Sequence, residues 1–222
     1  MDLQEFKKEY VQTELGISQD FGKIVVFIDF GNVNHWFEED RQTHNYVALK
    51  DDEKLVIDLQ KLNKFSNLFS NDTRFYYGYD PQNVGSFGFI RVARDIFGKS
   101  KVFTKHIQKI RHYLTEVDID KNTRIIHNDN KGDFIYIPKC NFDVEISVDA
   151  IKIIEHYETI CLFSGDADFV HLLRFLKGKN KKIILIKGGN IVHQLRELCD
   201  LVINAQDIKK HITIVKKQKP GN

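Results

Sequence analysis

The chain has 222 residues, of which 42% are hydrophobic and 29% charged, which is the balance of an ordinary globular domain with a sizeable core. Its net charge of +2 is too small to indicate a nucleic-acid partner by itself. Three cysteines without CxxC spacing argue against a zinc site and against a disulfide framework. No apolar run reaches the roughly 18 residues of a membrane helix, and the first residues do not resemble a signal peptide. We therefore expect a cytoplasmic protein without membrane contact.

The first half of the chain alternates between helical and strand patterns. Residues 3–15 have an amphipathic pattern that predicts a helix, interpreted as an N-terminal extension over residues 1–21. Residues 23–30 are apolar and rich in β-branched side chains, which predicts a strand buried on both faces. The further elements predicted here are a helix over 53–69, a strand over 73–79, a helix over 87–97 and a strand over 101–107.

The second half opens with a different pattern. Residues 124–137 predict a β-hairpin with a polar, glycine-bearing turn. The elements predicted after it are a helix over 143–157, a strand over 160–164, a helix over 168–177, a strand over 182–186, a helix over 190–199 and a strand over 201–203. The lysine-rich residues 209–222 are predicted to form a frayed basic tail.

Strands that alternate with helices predict an α/β fold of three layers around a mostly parallel sheet, with the hairpin as an insertion. The main domain is predicted over residues 22–208. In sheets of this kind, ligands bind outside the carboxyl ends of the strands, close to the point where the strand order reverses. The polar residues that directly follow each strand are therefore the first candidates for a functional site.

Asp29 lies at the end of the first buried strand. A carboxylate inside an apolar strand is unfavourable unless it is hydrogen-bonded, paired or bound to a cation. One interpretation is that Asp29 binds a cation, and the other is that it accepts backbone hydrogen bonds in the turn at Gly31. Asn32 is either a second polar group of the same site or a turn and capping residue.

Two further aspartates, Asp166 and Asp168, follow the predicted strand over 160–164. Asp168 is a suitable N-cap for the next helix, so its position has an ordinary structural explanation. Asp166 is harder to explain in that way, because Ser164 and Gly165 already supply a turn. If both strands end at the same edge of the sheet, Asp166 faces Asp29 across one cleft.

The helix predicted over 143–157 carries Asp143 and Asp149. Six helical positions correspond to about 600° of rotation, so the two side chains point roughly 120° apart. Both therefore cannot enter one coordination sphere from the middle of the helix. Asp143, at the helix start, can cap the helix and still point toward the strand ends, whereas Asp149 is either an outer contact or a helix-packing residue.

Several carboxylates in one cleft repel one another unless a cation neutralises them. Oxygen ligands without histidine suit Mg²⁺ or Mn²⁺ rather than zinc. Such an ion activates water and stabilises negative charge on a phosphoryl oxygen. The residues alone therefore predict the hydrolysis of a phosphodiester or a phosphomonoester.

Three blocks of sequence carry a resemblance to a known family. FIDFGN at 27–32, NFDVEISVD at 141–149 and FSGDADFV at 163–170 resemble the signature blocks of the NYN domain, in the family's order. NYN domains belong to the PIN-like nuclease superfamily, and the LabA-like branch is the most similar. The resemblance implies a PIN-like (Rossmannoid) α/β/α sandwich and metal-dependent cleavage of RNA, single-stranded RNA above all. A homo-oligomer is compatible with this resemblance.

The resemblance also assigns roles to individual residues. It implies catalytic and metal-binding roles for Asp29, Asp143 and Asp166, with Asp168 as a further metal ligand. Supporting roles fall on Asn32, Asp149 and Ser164. One departure is that Lys139-Cys-Asn-Phe stands where family members often have a Lys-Gly pair before the helix aspartate. The hairpin is an elaboration without an assigned role.

Two other functions compete with the nuclease. A haloacid-dehalogenase-like phosphatase needs Asp-x-Asp on the first strand, but the second of these positions is Gly31. The other is a catalytically inactive RNA-binding or protein-interaction module on the same fold. The presence of all the acidic residues argues against inactivity without proving turnover.

A substrate phosphate is repelled by an acidic cleft, so other residues have to bind the nucleic acid. Basic residues alternate with aromatic ones between residues 101 and 113, a mixture suited to backbone contacts and base stacking. His35 and Trp36 follow Asn32 closely and are placed to contact a base, although Trp36 suits core packing equally. The predicted nucleic-acid-binding residues are Lys101, Lys105, Lys109, Arg111, His35 and Trp36.

Overall fold

The computed structural model describes residues 3–115 and 125–217. The strands in chain order are β1 (Ile24–Asp29), β2 (Glu53–Ile57), β3 (Thr73–Tyr79), β4 (Val102–His106), β5 (Gln108–Tyr113), β6 (His127–Asp129), β7 (Gly132–Lys139), β8 (Thr159–Phe163), β9 (Lys182–Lys187), β10 (Leu201–Asn204) and β11 (Thr213–Lys217). The α-helices are α1 (Leu3–Glu14), α2 (Phe30–Val33), α3 (Leu59–Ser66), α4 (Val84–Phe97), α5 (Asp143–Lys152), α6 (Val170–Gly178), α7 (His193–Leu198) and α8 (Ala205–Ile212).

A six-stranded sheet forms the centre, in the order β10-β9-β8-β1-β3-β4, and every neighbouring pair is parallel. The chain builds outward from β1 through β3 and β4 on one side and through β8, β9 and β10 on the other. The strand order therefore reverses between β1 and β8. This is the position at which a parallel sheet opens a crevice at its carboxyl edge.

Helices cover both faces of this sheet, as a three-layer fold requires. All six residues of β1 are buried, and successive side chains enter opposite layers. Val26 and Ile28 pack with α1 to α4 and α8, whereas Val25 and Phe27 pack with α5 to α7. The predicted α/β/α sandwich and its parallel sheet are confirmed. None of the described helices combines the length and the apolar character needed to cross a membrane.

One small antiparallel sheet joins β2 to β11, with Val56 opposite Ile214. The prediction of a helix over 53–69 is therefore wrong for residues 53–57, although α3 covers 59–66. The prediction of a frayed tail is also wrong up to Lys217, because residues 209–217 form the end of α8 and the strand β11. Residues 53–57 form a strand because they pair with β11, which is distant in the sequence. Residues 218–222 of the expected tail lie outside the described part.

A second antiparallel sheet has the order β5-β7-β6. The predicted hairpin is present as β6 and β7, with Asp129 paired to Gly132 across the turn. Gly132 has a φ of 124°, which glycine adopts without strain. The start of the predicted hairpin, residue 124, lies outside the described residues. The sequence did not predict β5 as a third strand of this sheet.

Candidate metal centre

A cleft of about 460 Å³ lies at the carboxyl ends of β1 and β8, where the strand order reverses. Asp29, Asn32, Asp143 and Asp166 line it, together with Lys139 from the end of β7. Three separate segments of the chain therefore place carboxylates in one cleft. The sequence predicted this meeting of β1, α5 and the residues after β8.

Asp29 ends β1 and is only 7% exposed. Its burial raises the pKa of the carboxyl from 3.8 to about 6, and nearby Asp143 and Asp166 add to the rise. A hydrogen bond from Ser164 Oγ to Asp29 Oδ2 (3.3 Å) and a backbone hydrogen bond from Asn32 act in the opposite direction. The ionised form of Asp29 is thus disfavoured in the protein alone, and a neighbouring cation would favour it.

Asp143, Asp166 and Asp168 form the tightest acidic group of the cleft. Each offers a carboxylate oxygen, and the three oxygens lie within 4.8 Å of one another. Asp143 is the first residue of α5, and burial together with Asp166 and Asp168 raises its pKa. Asp168 is exposed and Asp166 half-buried. Three converging carboxylates with open access to solvent fit a hard divalent ion that keeps some of its water ligands.

Asp29 stands beside this group of three rather than within it. Its carboxyl is still close enough to Asp143 and Asp166 for their negative charges to raise its pKa. The residues whose carboxylate oxygens converge most closely on a possible cation are therefore Asp143, Asp166 and Asp168. Asp29 lies on the same wall of the cleft, where it can orient a water or contact the ion.

The capping roles differ from those predicted. Asp166, not Asp168, is the N-cap of the 3-10 turn at Ala167–Phe169, because its Oδ1 accepts the N–H of Asp168 (3.0 Å). Asp143 does not cap α5 either, since the N-cap position is held by Phe142. The hydrogen bond fixes the orientation of the Asp166 carboxylate and leaves the carboxylate of Asp168 free to turn toward the cleft.

Asn32 ties the ends of β1 and β8 together. Its Oδ1 accepts hydrogen bonds from the Gly165 amide (3.2 Å) and from Trp36 Nε1 (2.9 Å). Trp36 stacks on Phe163 with ring centroids 6.2 Å apart. The packing alternative for Trp36 is therefore observed, and a base contact by Trp36 stays a prediction. This anchoring role had no signal in the sequence, because it depends on where the two loops meet in space.

Asp149 faces away from the cleft. Its Oδ2 accepts a hydrogen bond from the hydroxyl of Tyr76 (2.8 Å) and lies 3.9 Å from a guanidinium nitrogen of Arg74. Both partners are on β3, so the contact packs α5 against the sheet. The supporting role predicted for Asp149 is not seen in the geometry, because the helix turns its side chain away from Asp143.

The predicted basic residues separate into two groups. Lys101 precedes β4 and pairs with Asp72, which precedes β3, at 2.6 Å. Both lie at the amino edge of the parallel sheet, opposite the cleft, so Lys101 does not belong to this site. Lys105, near the carboxyl end of β4, pairs with Glu145 (2.7 Å) and is close enough to lower the pKa of Asp143.

Lys109 and Arg111 lie on β5, beside the cleft. Lys109 is 3.4 Å from Asp80, and Arg111 is 3.0 Å from Asp129. His35 is at the cleft rim, exposed, with Nδ1 2.7 Å from Glu38.

Aromatic residues accompany these cations on the small sheet. Tyr113 and Phe134 are cross-strand partners, as are Arg111 and Tyr136. The Arg111 guanidinium lies 4.9 Å from the centroid of Phe134, and the rings of Phe134 and Tyr136 are 5.4 Å apart. Sequence reasoning missed Tyr136 and His127 as members of this face, although the alternation of aromatic residues along β7 was a signal that could have found Tyr136.

Comparison with known proteins agrees with this architecture. The family model of the NYN domain matches residues 23–206. The low amplitude and bright protein LabA of Synechococcus elongatus is 26% identical over 206 residues, covering 89% of this chain and 91% of that protein. A crystal structure of a protein of unknown function from Vibrio parahaemolyticus has a similar fold, with a TM-score of 0.55 and 17% identity over 86% of this chain and 96% of its own. The family match spans every acidic residue of the cleft, and the chain belongs to the NYN domain family, within the PIN-like nuclease superfamily.

Proposed function

We propose that the protein is a metal-dependent ribonuclease that hydrolyses phosphodiester bonds of cytoplasmic RNA in the acidic cleft. The observation that supports this most is the convergence of the carboxylates of Asp143, Asp166 and Asp168 within 4.8 Å beside the buried Asp29. Such a group is unfavourable without a cation and serves no packing role, unlike Asp149. Family membership points to the same chemistry.

In this proposal Asp143, Asp166 and Asp168 hold Mg²⁺ or Mn²⁺. The bound ion supplies activation of a water and stabilisation of charge on a phosphoryl oxygen. Asp29, whose ionised form a neighbouring cation favours, accepts a proton or a hydrogen bond from the attacking water. Ser164 keeps the Asp29 carboxyl in place through its hydrogen bond.

The small antiparallel sheet binds the RNA strand beside the cleft. Arg111, Tyr113 and Tyr136 stand on one face of β5 and β7, and β7 leads directly to Lys139 in the cleft wall. The three-residue step from Tyr136 to Lys139 spans about 10 Å of strand. Aromatic faces and cations at this spacing suit a single strand whose bases stack while its phosphates reach the cation.

Cleavage of labelled single-stranded RNA and DNA tests the proposal, with Mg²⁺, Mn²⁺ or EDTA. We expect metal-dependent cleavage of RNA by the wild type, none by Asp29→Asn, and full activity in the matched control Asp149→Asn. A rise in KM with little change in kcat is expected for Arg111→Ala. Cleavage that survives Asp29→Asn would refute the site, and RNA binding without metal-dependent cleavage would establish an inactive binding module instead. A crystal soaked in Mn²⁺ without density between Asp143, Asp166 and Asp168 would also count against it.

A further inference from the structure

A second cavity, of about 910 Å³, lies between α1, α3 and α8, on the helical layer away from α5. It is larger than the acidic cleft and shares no lining residue with it. Among the residues that the structure describes, its walls carry five lysines and a single carboxylate, Glu5. The lysines are Lys7, Lys8, Lys61, Lys64 and Lys210. We refer to this site as the lysine cavity.

The positive charge of the lysine cavity is mostly uncompensated. Lys210 pairs with Glu14 (2.7 Å), and Lys61 Nζ donates a hydrogen bond to the carbonyl of Thr213 (2.8 Å). Lys7, Lys8 and Lys64 have neither an ion pair nor a side-chain hydrogen bond to the groups that the structure describes. Like charges gathered in a concave wall repel one another and concentrate anions.

His211 adds a buried polar group to the wall of the lysine cavity. Its ring stacks on Phe65 with centroids 5.6 Å apart and an interplanar angle of 19°. Its Nε2 is shielded from solvent and has no hydrogen-bond partner among the described residues. Burial, with Lys210 and Lys7 nearby, lowers the pKa of His211.

We propose that the lysine cavity binds a small molecule with consecutive phosphate groups, such as a nucleoside di- or triphosphate. Its volume falls within the range of small-molecule sites, roughly 300–1,000 Å³. Separate ammonium groups act as point charges that suit a chain of phosphates. Asn67 and His211 provide neutral polar groups between the lysines. The proposal is independent of the nuclease, because it uses no residue of the acidic cleft.

Inorganic tripolyphosphate is a suitable probe, titrated calorimetrically into the full chain with EDTA present, so that no metal in the acidic cleft takes part. We expect saturable binding with one site per chain. The double variant Lys7→Gln/Lys64→Gln should weaken it by on the order of tenfold for each lost lysine contact. The matched control Lys131→Gln/Lys152→Gln removes the same charge from other surfaces and should leave the affinity unchanged. Circular dichroism checks that both variants are folded.

The ¹⁵N signals of the His211 ring provide a second readout that charge alone would not move. We expect tripolyphosphate, but not sulfate at equal ionic strength, to shift them. Equal weakening by both double variants would overturn the proposal, because it would show non-specific attraction to net charge. Binding of a single-stranded RNA oligonucleotide at this cavity in preference to tripolyphosphate would overturn it in favour of a nucleic-acid path.

Discussion

Replacing Asp29 with asparagine should stabilise the protein while abolishing its activity. Asparagine has nearly the shape of aspartate and still offers an oxygen to accept the hydrogen bond from Ser164 Oγ. What it removes is a charge at a position that is 7% exposed, next to Asp143 and Asp166. In the proposed function, the buried carboxylate is therefore a cost to folding that is retained for its chemistry.

The magnitude follows from the pKa of Asp29, which rises from 3.8 to about 6 on folding. This rise corresponds to about 3 kcal/mol. Because the folded state holds this proton more tightly than the unfolded state, the wild type loses that stability as the pH rises from about 4 to about 6. The asparagine side chain of the variant does not titrate. The free energy of unfolding of the variant, relative to that of the wild type, should therefore rise by about 3 kcal/mol between pH 4 and pH 7, and this difference should stay constant above pH 7.

Urea unfolding of both proteins across pH 4–8, in EDTA, measures this difference. For a chain of this size the gain at pH 7 corresponds to a rise in Tm of about 6–12 °C. Asp51→Asn, at an exposed turn, makes the same substitution on the surface and is the control. Mn²⁺ should stabilise the wild type more than Asp29→Asn. A stability difference between Asp29→Asn and wild type that is independent of pH would refute the reasoning, since it would show that Asp29 is not protonated on folding.

Three further substitutions test other parts of the structure. Asp149→Ala should leave RNA cleavage intact but lower the free energy of unfolding by about 1–3 kcal/mol, because the hydroxyl of Tyr76 loses its hydrogen-bond acceptor. A loss of cleavage in folded protein would instead place Asp149 in the site. Gly188→Ala would place the new Cβ 2.4 Å from Trp36 Cδ1. We therefore expect the free energy of unfolding to fall by about 1–3 kcal/mol and the fluorescence emission of the single tryptophan to change. Unchanged fluorescence would contradict the packing of Trp36 on this loop. Lys101→Gln should leave RNA affinity unchanged in fluorescence anisotropy, because Lys101 lies at the opposite edge of the sheet; clearly weaker binding would contradict that placement.

The central strands β1, β8 and β9 were predictable because they are buried on both faces and therefore form continuous apolar runs in the sequence. The two strands β2 and β11 were not, because each depends on a partner at the other end of the chain. Leu55, Val56 and Leu59 have helical spacing when only the local sequence is considered. β5 was missed for a different reason: all of its residues are exposed, so no apolar alternation marks it.

The positions of the acidic residues were predictable from one rule, that ligands gather at the carboxyl ends of parallel strands. The directions of the side chains were harder to predict. The angle between Asp143 and Asp149 on one helix excluded a shared site, but the partner of Asp149 on β3 could not be read from the sequence. The anchoring of Asn32 by Trp36 requires the loops after β1 and β8 to meet, which is a property of the folded chain alone.

This anchoring explains how the cleft keeps mutually repelling carboxylates in place. Repulsion between Asp29, Asp143 and Asp166 would open the crevice between β1 and β8 if their loops were free to move. Asn32 holds the Gly165 amide from one side and Trp36 from the other, and Trp36 is itself packed on Phe163. The free energy that the acidic residues cost is thus offset by packing directly beneath them, and a metal ion meets carboxylates that are already in position. Removing the Trp36 contact should therefore weaken metal binding even though Trp36 lies outside the group of carboxylates.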